Sequence, residues 1–244
     1  MILLDFSQVM IGAFMVMSRG QLVVEEDLLR HTVLNMIRTY KNQFKEAYDA
    51  GGMVICCDSS GNWRKESFKE YKANRRTKRE TDTTDWPSLF EFLAEMIEDF
   101  RAHFPYKVMK IDRAEADDII GVICKECHEI PTVIVSSDKD FIQLQKYGGV
   151  RQWSPLKKDY ISDNPVESLY EKIIRGDTGD GVPNILSSDD VFITEGKRQT
   201  PITKKKIDSW RGKSPEEFCT GDMLRNYHRN KTMVDLGETP NSIR

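Results

Sequence analysis

Apolar residues along this 244-residue chain fall into two alternating patterns, short continuous runs and longer stretches with helical spacing. Ile2 to Leu4 reads as a short buried strand. Glu26 to Ala50 carries Leu28, Leu29, Val33, Leu34, Ile37 and Tyr40 on one helical face, and Gly51-Gly52 supplies the stop. Met53 to Cys57 reads as the next strand, and Leu89 to His103 as an amphipathic helix ended by Pro105. Lys107 to Ile111 and Thr132 to Val135 read as a third and a fourth strand, with a helix after Glu115 between them. Strands separated by helices predict an α/β fold with a mostly parallel central sheet flanked by helices. After about Pro165 the pattern changes to helix, Gly-rich turn and polar loop, a smaller C-terminal helical region.

The length suits one large domain, or a catalytic domain with a smaller appendage. A hydrophobic fraction of 39% against 31% charged residues fits a protein with a large polar, ligand-facing surface. Residues 1 to 17 are apolar but lack a basic leader and carry Asp5 in their midst, so they read as strand and helix, not as a secretory signal. No run of eighteen uncharged apolar residues is present, and no membrane partner is expected. Cys124-Lys125-Glu126-Cys127-His128 matches the haem-attachment spacing, but it lies in a stretch whose apolar positions form one helical face, so Cys127 is expected in the core. The expectation is a reduced, cytoplasmic protein.

Nine carboxylates stand in tight groups at the ends of apolar runs: Asp5, Asp58, the Glu115, Asp117, Asp118 group, the Asp138, Asp140 pair and the Asp177, Asp180 pair. Carboxyl ends of parallel strands converge on one crevice, where open α/β sheets place their sites. Two ionised carboxylates roughly 6 Å apart repel by about 3 kcal/mol at an effective dielectric of about 20. Such a cluster binds hard cations or carries raised pKa values, and magnesium, which takes oxygen ligands and keeps waters, is the natural cation. Two magnesium ions about 4 Å apart would activate a water and stabilise the leaving oxygen of an in-line displacement at phosphorus.

The net charge of −3 conceals strong segregation. Gly61 to Glu80 holds eight basic and three acidic residues, a local balance of +5. A second basic run contains Lys197, Arg198, Lys204, Lys205 and Lys206. An acidic pocket bordered by basic surface suits a polyanion held by its backbone while one phosphate meets the metals. If residues 63 to 79 are helical, Lys65, Lys69, Lys72 and Arg76 share a face able to grip a single strand, with Trp63 and Tyr71 available to stack on an unpaired base.

The order LLDFS, a strand ending in Asp58, WRKESFKEYKANRR, EADD, SSDKDF and GDTGD resembles the 5′ nuclease (flap endonuclease) family with its PIN-like fold, and in particular its T-even bacteriophage ribonuclease H branch. The resemblance covers residues 1 to about 183. It implies 5′ to 3′ exonuclease and flap endonuclease action, with removal of RNA primers in phage replication. It implies that Asp5, Asp58, Glu115, Asp117 and Asp138 surround one Mg2+, with Mn2+ able to substitute, and that Asp140, Asp177 and Asp180 hold the second. Asp118 is either a further metal-site residue or a helix cap. Arg64 and Lys72 match the family's basic positions in a helical gateway over the active site, and Arg75 lies in the same run. The catalytic domain is expected over residues 1–164, with the gateway at 61–80, and a shortened helical duplex-binding region over 165–244. The Gly-x-Gly that usually follows GDxxDN is missing, which leaves the family's potassium site open, and the duplex contact is expected through Lys204, Lys205 and Lys206. The implied partners are forked, flap or RNA-primed duplexes, a single-stranded DNA binding protein and a sliding clamp, met by a monomer.

Two other readings rest on part of the same pattern. A Toprim-type primase or topoisomerase fragment also pairs a Glu with Asp-x-Asp after a strand, but has no need of Asp5, Asp58 or GDTGD. A non-catalytic, structure-specific DNA-binding module would keep the fold without cleavage.

Overall fold

The structure is a computed structural model that describes residues 1–18, 25–80 and 82–243. Its elements run β1 (Ile2–Asp5), α1 (Phe6–Ser18), α2 (Glu26–Gln43), α3 (Lys45–Gly51), β2 (Met53–Cys57), α4 (Trp63–Ser67), α5 (Ala73–Glu80) and α6 (Trp86–His103). There follow β3 (Lys107–Lys110), α7 (Ala116–Glu126), β4 (Thr132–Val135), a 3-10 helix (Lys139–Lys146), β5 (Val150–Ser154), β6 (Asp159–Ile161) and α8 (Pro165–Arg175). The last segment carries α9 (Lys204–Trp210), α10 (Pro215–Phe218), α11 (Asp222–Val234) and a short 3-10 turn at Leu236–Glu238.

The strands form one sheet in the order β3-β2-β1-β4-β5-β6, parallel except for the β5–β6 pair. Alternate residues of β1 enter opposite layers, as strand geometry requires. Ile2 and Leu4 pack with Phe6, Leu29, Phe92 and Phe100. Leu3 packs on the other face with Ile119, Ile120, Phe141 and Leu236. A sheet covered on both faces explains why its central strands read as unbroken apolar runs.

Four expectations need correction. Residues 26–50 form two helices, because Phe44 leaves helical geometry (φ −109°, ψ 41°). Its ring is buried against Trp153 at 5.6 Å between centroids. Residues 63–79 are not one helix either, since Phe68 is extended and Lys72 has φ +57°, so Lys65, Lys69, Lys72 and Arg76 share no continuous helical face. Burial of Phe68 and Tyr71 against Ile173, Val182 and Met233 sets that break. Cys127 is only partly buried against the core at the end of α7, whereas Cys124, within α7, is fully buried, and burial lifts its thiol to about 12. Finally, β5 and β6 extend the sheet beyond the four expected strands; inward-facing Gln152 and Ser154 disguise β5 as a polar stretch.

The C-terminal segment packs back on the sheet layer. The Gln143 amide donates to Val234 O at 3.0 Å and accepts from Leu236 N at 2.9 Å. Among the described residues no helix is long and apolar enough to cross a membrane.

Candidate active site

The parallel topology brings the C-terminal ends of β1, β2 and β4 to one edge, so residues distant in sequence meet there. Asp5 closes β1, Asp58 follows β2, and Asp138 follows β4. Ser136 bridges two of these segments: its hydroxyl donates to Asp5 Oδ2 at 3.1 Å and accepts from Asp138 N at 3.1 Å. Asp58 accepts from Ser7 Oγ at 2.6 Å and from Ala116 N at 2.8 Å, which ties the β2 loop to the start of α7. Asp117, in the first turn of α7, faces the charges of Asp138 and Asp5.

Burial and mutual repulsion shift these carboxyls together. Burial, followed by the neighbouring charge of Asp58, pushes Asp5 up to about 7. Burial and the charges of Asp138 and Asp5 hold Asp117 well above the usual carboxylate range. Asp138 is raised as well, chiefly by burial. Burial and neighbouring like charge both disfavour the ionised forms, with burial the larger effect for each.

Two lysines answer part of that charge. Lys72 donates its ammonium to Glu115 Oε1 and stands 3.6 Å from Asp180 Oδ2. Burial disfavours its charge, but Asp180 and Glu115 prevail and its pKa is raised. Lys172, from α8, pairs with Asp140 and lies 2.7 Å from Asp177 Oδ2. Nothing in its local sequence marked Lys172, because it faces the site only once α8 is docked beside the 3-10 helix. Among the described residues no three carboxylates close into a metal cage as they stand.

Several expected site residues are structural. Asp118 is fully buried, and its oxygens accept from Arg64 at 2.9 Å twice, from Trp63 Nε1 at 3.1 Å, from Glu115 N at 2.9 Å and from Thr239 Oγ1 at 2.9 Å. Its lone pairs are committed, so it is not a metal ligand here. Arg64 is equally buried and also donates to Glu115 Oε2 at 3.1 Å and Met233 O at 2.9 Å, which removes it from any phosphate. Trp63 and Tyr71 are buried too, so neither presents a ring for stacking. The Tyr71 hydroxyl instead lies 2.9 Å from both Glu115 Oε2 and Asp180 Oδ2, so its one proton is shared between the two carboxylates.

The remaining basic residues divide by position. Lys65 and Lys69 are exposed. Arg75 is partly exposed and pairs with Asp180. Burial raises the Asp180 carboxyl, but Lys72 and Arg75 outweigh it and hold the net pKa low. The Arg76 side chain lies outside the described residues. Lys204, Lys205 and Lys206 are exposed together at the start of α9.

Hydrogen bonds tie the segment between α4 and α5 to the loop after α8. Lys72 N donates to Asp180 O at 2.7 Å, and Asn74 Nδ2 to Thr178 O at 2.7 Å. Gly181 sits against this junction with φ +70°, where a Cβ would lie 3.0 Å from Glu70 O, so only glycine fits comfortably. Gln152 on β5, not singled out in the sequence, donates to Ser136 O at 2.9 Å and Asp138 O at 2.5 Å and braces the acidic loop.

A parallel sheet with acidic side chains gathered at its carboxyl edge defines the protein's class. A family model described as the 5′-3′ exonuclease N-terminal resolvase-like domain matches residues 1–172, and the chain belongs to that 5′-3′ exonuclease family. It is 35% identical to the ribonuclease H of Enterobacteria phage T4, over 99% of this chain and 82% of that protein. It is 29% identical to a 5′-3′ exonuclease of Buchnera aphidicola subsp. Schizaphis graminum, over 63% of this chain and 54% of that one. The fold is similar to that of the bacteriophage T5 flap endonuclease, solved as a pseudo-enzyme–product complex with DNA and metal ions (TM-score 0.69, 20% identity, 96% of this chain and 88% of that one).

Proposed function

We propose that the protein is a divalent-metal-dependent 5′ to 3′ exonuclease and flap endonuclease that hydrolyses phosphodiesters of forked, flapped or RNA-primed duplexes. The observation that carries this reading is the meeting of Asp5, Asp58, Asp117 and Asp138 at one sheet edge, three of them with raised pKa values, beside Glu115 and the Lys72 ammonium. Asp5, Asp58, Glu115, Asp117 and Asp138 would hold one Mg2+, and Asp140, Asp177 and Asp180 a second. The donor set is oxygen only, and its mutual repulsion is what a hard cation relieves. When bound, the ions supply a water nucleophile at neutral pH and neutralise charge on the attacking and leaving oxygens.

The chain's own residues hold the substrate and shape the site. Lys72, half-buried at the mouth, offers a cation to a non-bridging phosphate oxygen as negative charge builds there. Lys65, Lys69 and Arg75 line the approach and grip flanking phosphates. Arg64 and Asp118 act one layer behind, fixing Glu115 and the start of α7. Identity to a phage ribonuclease H supports a role in removing RNA primers from lagging-strand fragments. A single-stranded DNA binding protein and a sliding clamp are the partners such a role would use.

Cleavage of a 5′-labelled flap duplex and an RNA-primed duplex with Mg2+ tests the reading. Short 5′ products from the wild type that vanish in Asp138→Asn support it. Junction binding with no turnover in the wild type overturns it in favour of a binding module.

A further inference from the structure

With Trp63 and Tyr71 buried, the aromatic surface that borders the site lies elsewhere. A groove of about 570 Å3 starts at Asp58 and Glu115, passes Lys65, Lys72 and Arg75, and ends against α6. There Trp86 and Phe90 stand one helical turn apart, both half-buried, with ring centroids 5.8 Å apart and planes within 25°. The Arg79 guanidinium lies over both rings, 5.3 Å from Trp86 and 4.7 Å from Phe90.

The shelf is held in place by its own sequence. Asp85 caps α6 by accepting from Ser88 N at 3.2 Å, and Pro87 fixes the first turn. Asp82 Oδ2 accepts from Trp86 Nε1 at 3.1 Å and sets the indole's orientation. Burial and the charge of Arg75 pull Arg79 below its usual pKa, so an anion near it is favourable.

We propose that Trp86 and Phe90 form a stacking subsite for one unpaired nucleobase of the 5′ strand, with Arg79 turning from the rings to the adjacent phosphate. The groove carries the two surfaces that a single strand needs, cations for its backbone and a flat apolar face for its bases. Inside a duplex both faces of a base are covered by its stacked neighbours, so the subsite takes an unpaired, unstacked base and not the duplex interior. The proposal rests on the nuclease reading, and deepens it by naming where the unpaired end lies.

The test is an abasic scan. Full-length protein carrying Asp138→Asn, in Mg2+, is titrated with forked oligonucleotides in which each nucleotide of the unpaired 5′ strand in turn lacks its base. One position should weaken binding by roughly 5- to 150-fold. The same loss should disappear when Trp86→Leu is added, while Trp86→Phe keeps it. Should Trp86→Leu fail to fold, Phe90→Leu and the scan of the parent protein serve instead. A flat scan, or an abasic penalty that survives in Trp86→Leu, overturns the subsite. Cleavage of the intact fork by wild-type protein is measured alongside: cleavage with a flat scan sinks only the subsite, whereas a positioned abasic penalty without cleavage keeps the subsite and sinks the nuclease.

Discussion

Arg64 and Asp118 form a forked pair inside the protein, each nitrogen 2.9 Å from its carboxylate oxygen and neither side chain more than 2% exposed. Parallel hydrogen bonds of this kind are geometrically specific, and only arginine supplies the fork. The pair links α4 to α7, and Thr239 and Met233 O join the C-terminal segment to it.

Removing one partner of that pair leaves an uncompensated buried charge. Arg64→Ala is therefore expected to destabilise the protein by about 3–5 kcal/mol. Urea unfolding should show a lower midpoint with an unchanged slope. Arg64→Lys should lose most of the same stability, because an ammonium cannot reproduce the fork. An unfolding midpoint equal to that of the wild type would return Arg64 to a role at the substrate.

Lys72 has the opposite character. Its ammonium sits between Glu115 and Asp180 at the site's mouth, on a backbone held at φ +57°. A non-glycine residue in the left-handed region costs free energy and is retained where its position matters. Lys72→Ala should lower the cleavage rate at saturating substrate by about 100- to 1000-fold, the usual loss when one oxyanion-stabilising group is removed. Duplex affinity should change far less. Equal losses in rate and affinity would refute the assignment.

The raised carboxyls make stability without metal depend on pH. The ordinary Asp pKa of 3.8 applies to the unfolded chain, whereas Asp5 in the folded protein titrates at about 7. Between those values the folded state binds more protons than the unfolded one, so stability is greatest at the acidic end of the window and is lost as pH rises through about 7. Divalent cations require ionised ligands, so their stabilising effect should run the other way and be largest above about pH 7. Thermal midpoints between pH 5 and 8, with EDTA and with Mg2+, should converge in acid and diverge in base. Parallel curves would mean that the cluster does not take the metal.

Lys204, Lys205 and Lys206 project from the start of α9 as an exposed group, and the Lys206 ammonium lies 5.4 Å from the Trp210 ring centroid. If they hold duplex backbone, replacing all three with Gln should flatten the dependence of log affinity on log salt, by about 0.9 for each phosphate no longer neutralised. An unchanged slope would mark them as a solvated face.

Much of this molecule is determined by its sequence alone. Buried parallel strands such as Ile2–Asp5 and Met53–Cys57 must be apolar on both faces, and carboxylates placed just after them must meet at one edge. The acidic cluster was legible because local sequence and chain order suffice to place it. Tertiary structure alone decided which charged groups stay exposed at the acidic edge and which are buried behind it. Arg64 and Asp118, Trp63 and Tyr71 resemble their exposed neighbours in residue type, and only docking of α4 and the C-terminal segment onto α7 buries them. The same packing broke the helix expected through residues 63–79, brought Lys172 to Asp140 and Asp177, and left Trp86 and Phe90 as the aromatic wall of the groove. Burial and the pairing of charge depend on packing between segments far apart in the chain, and no local pattern of residues encodes them.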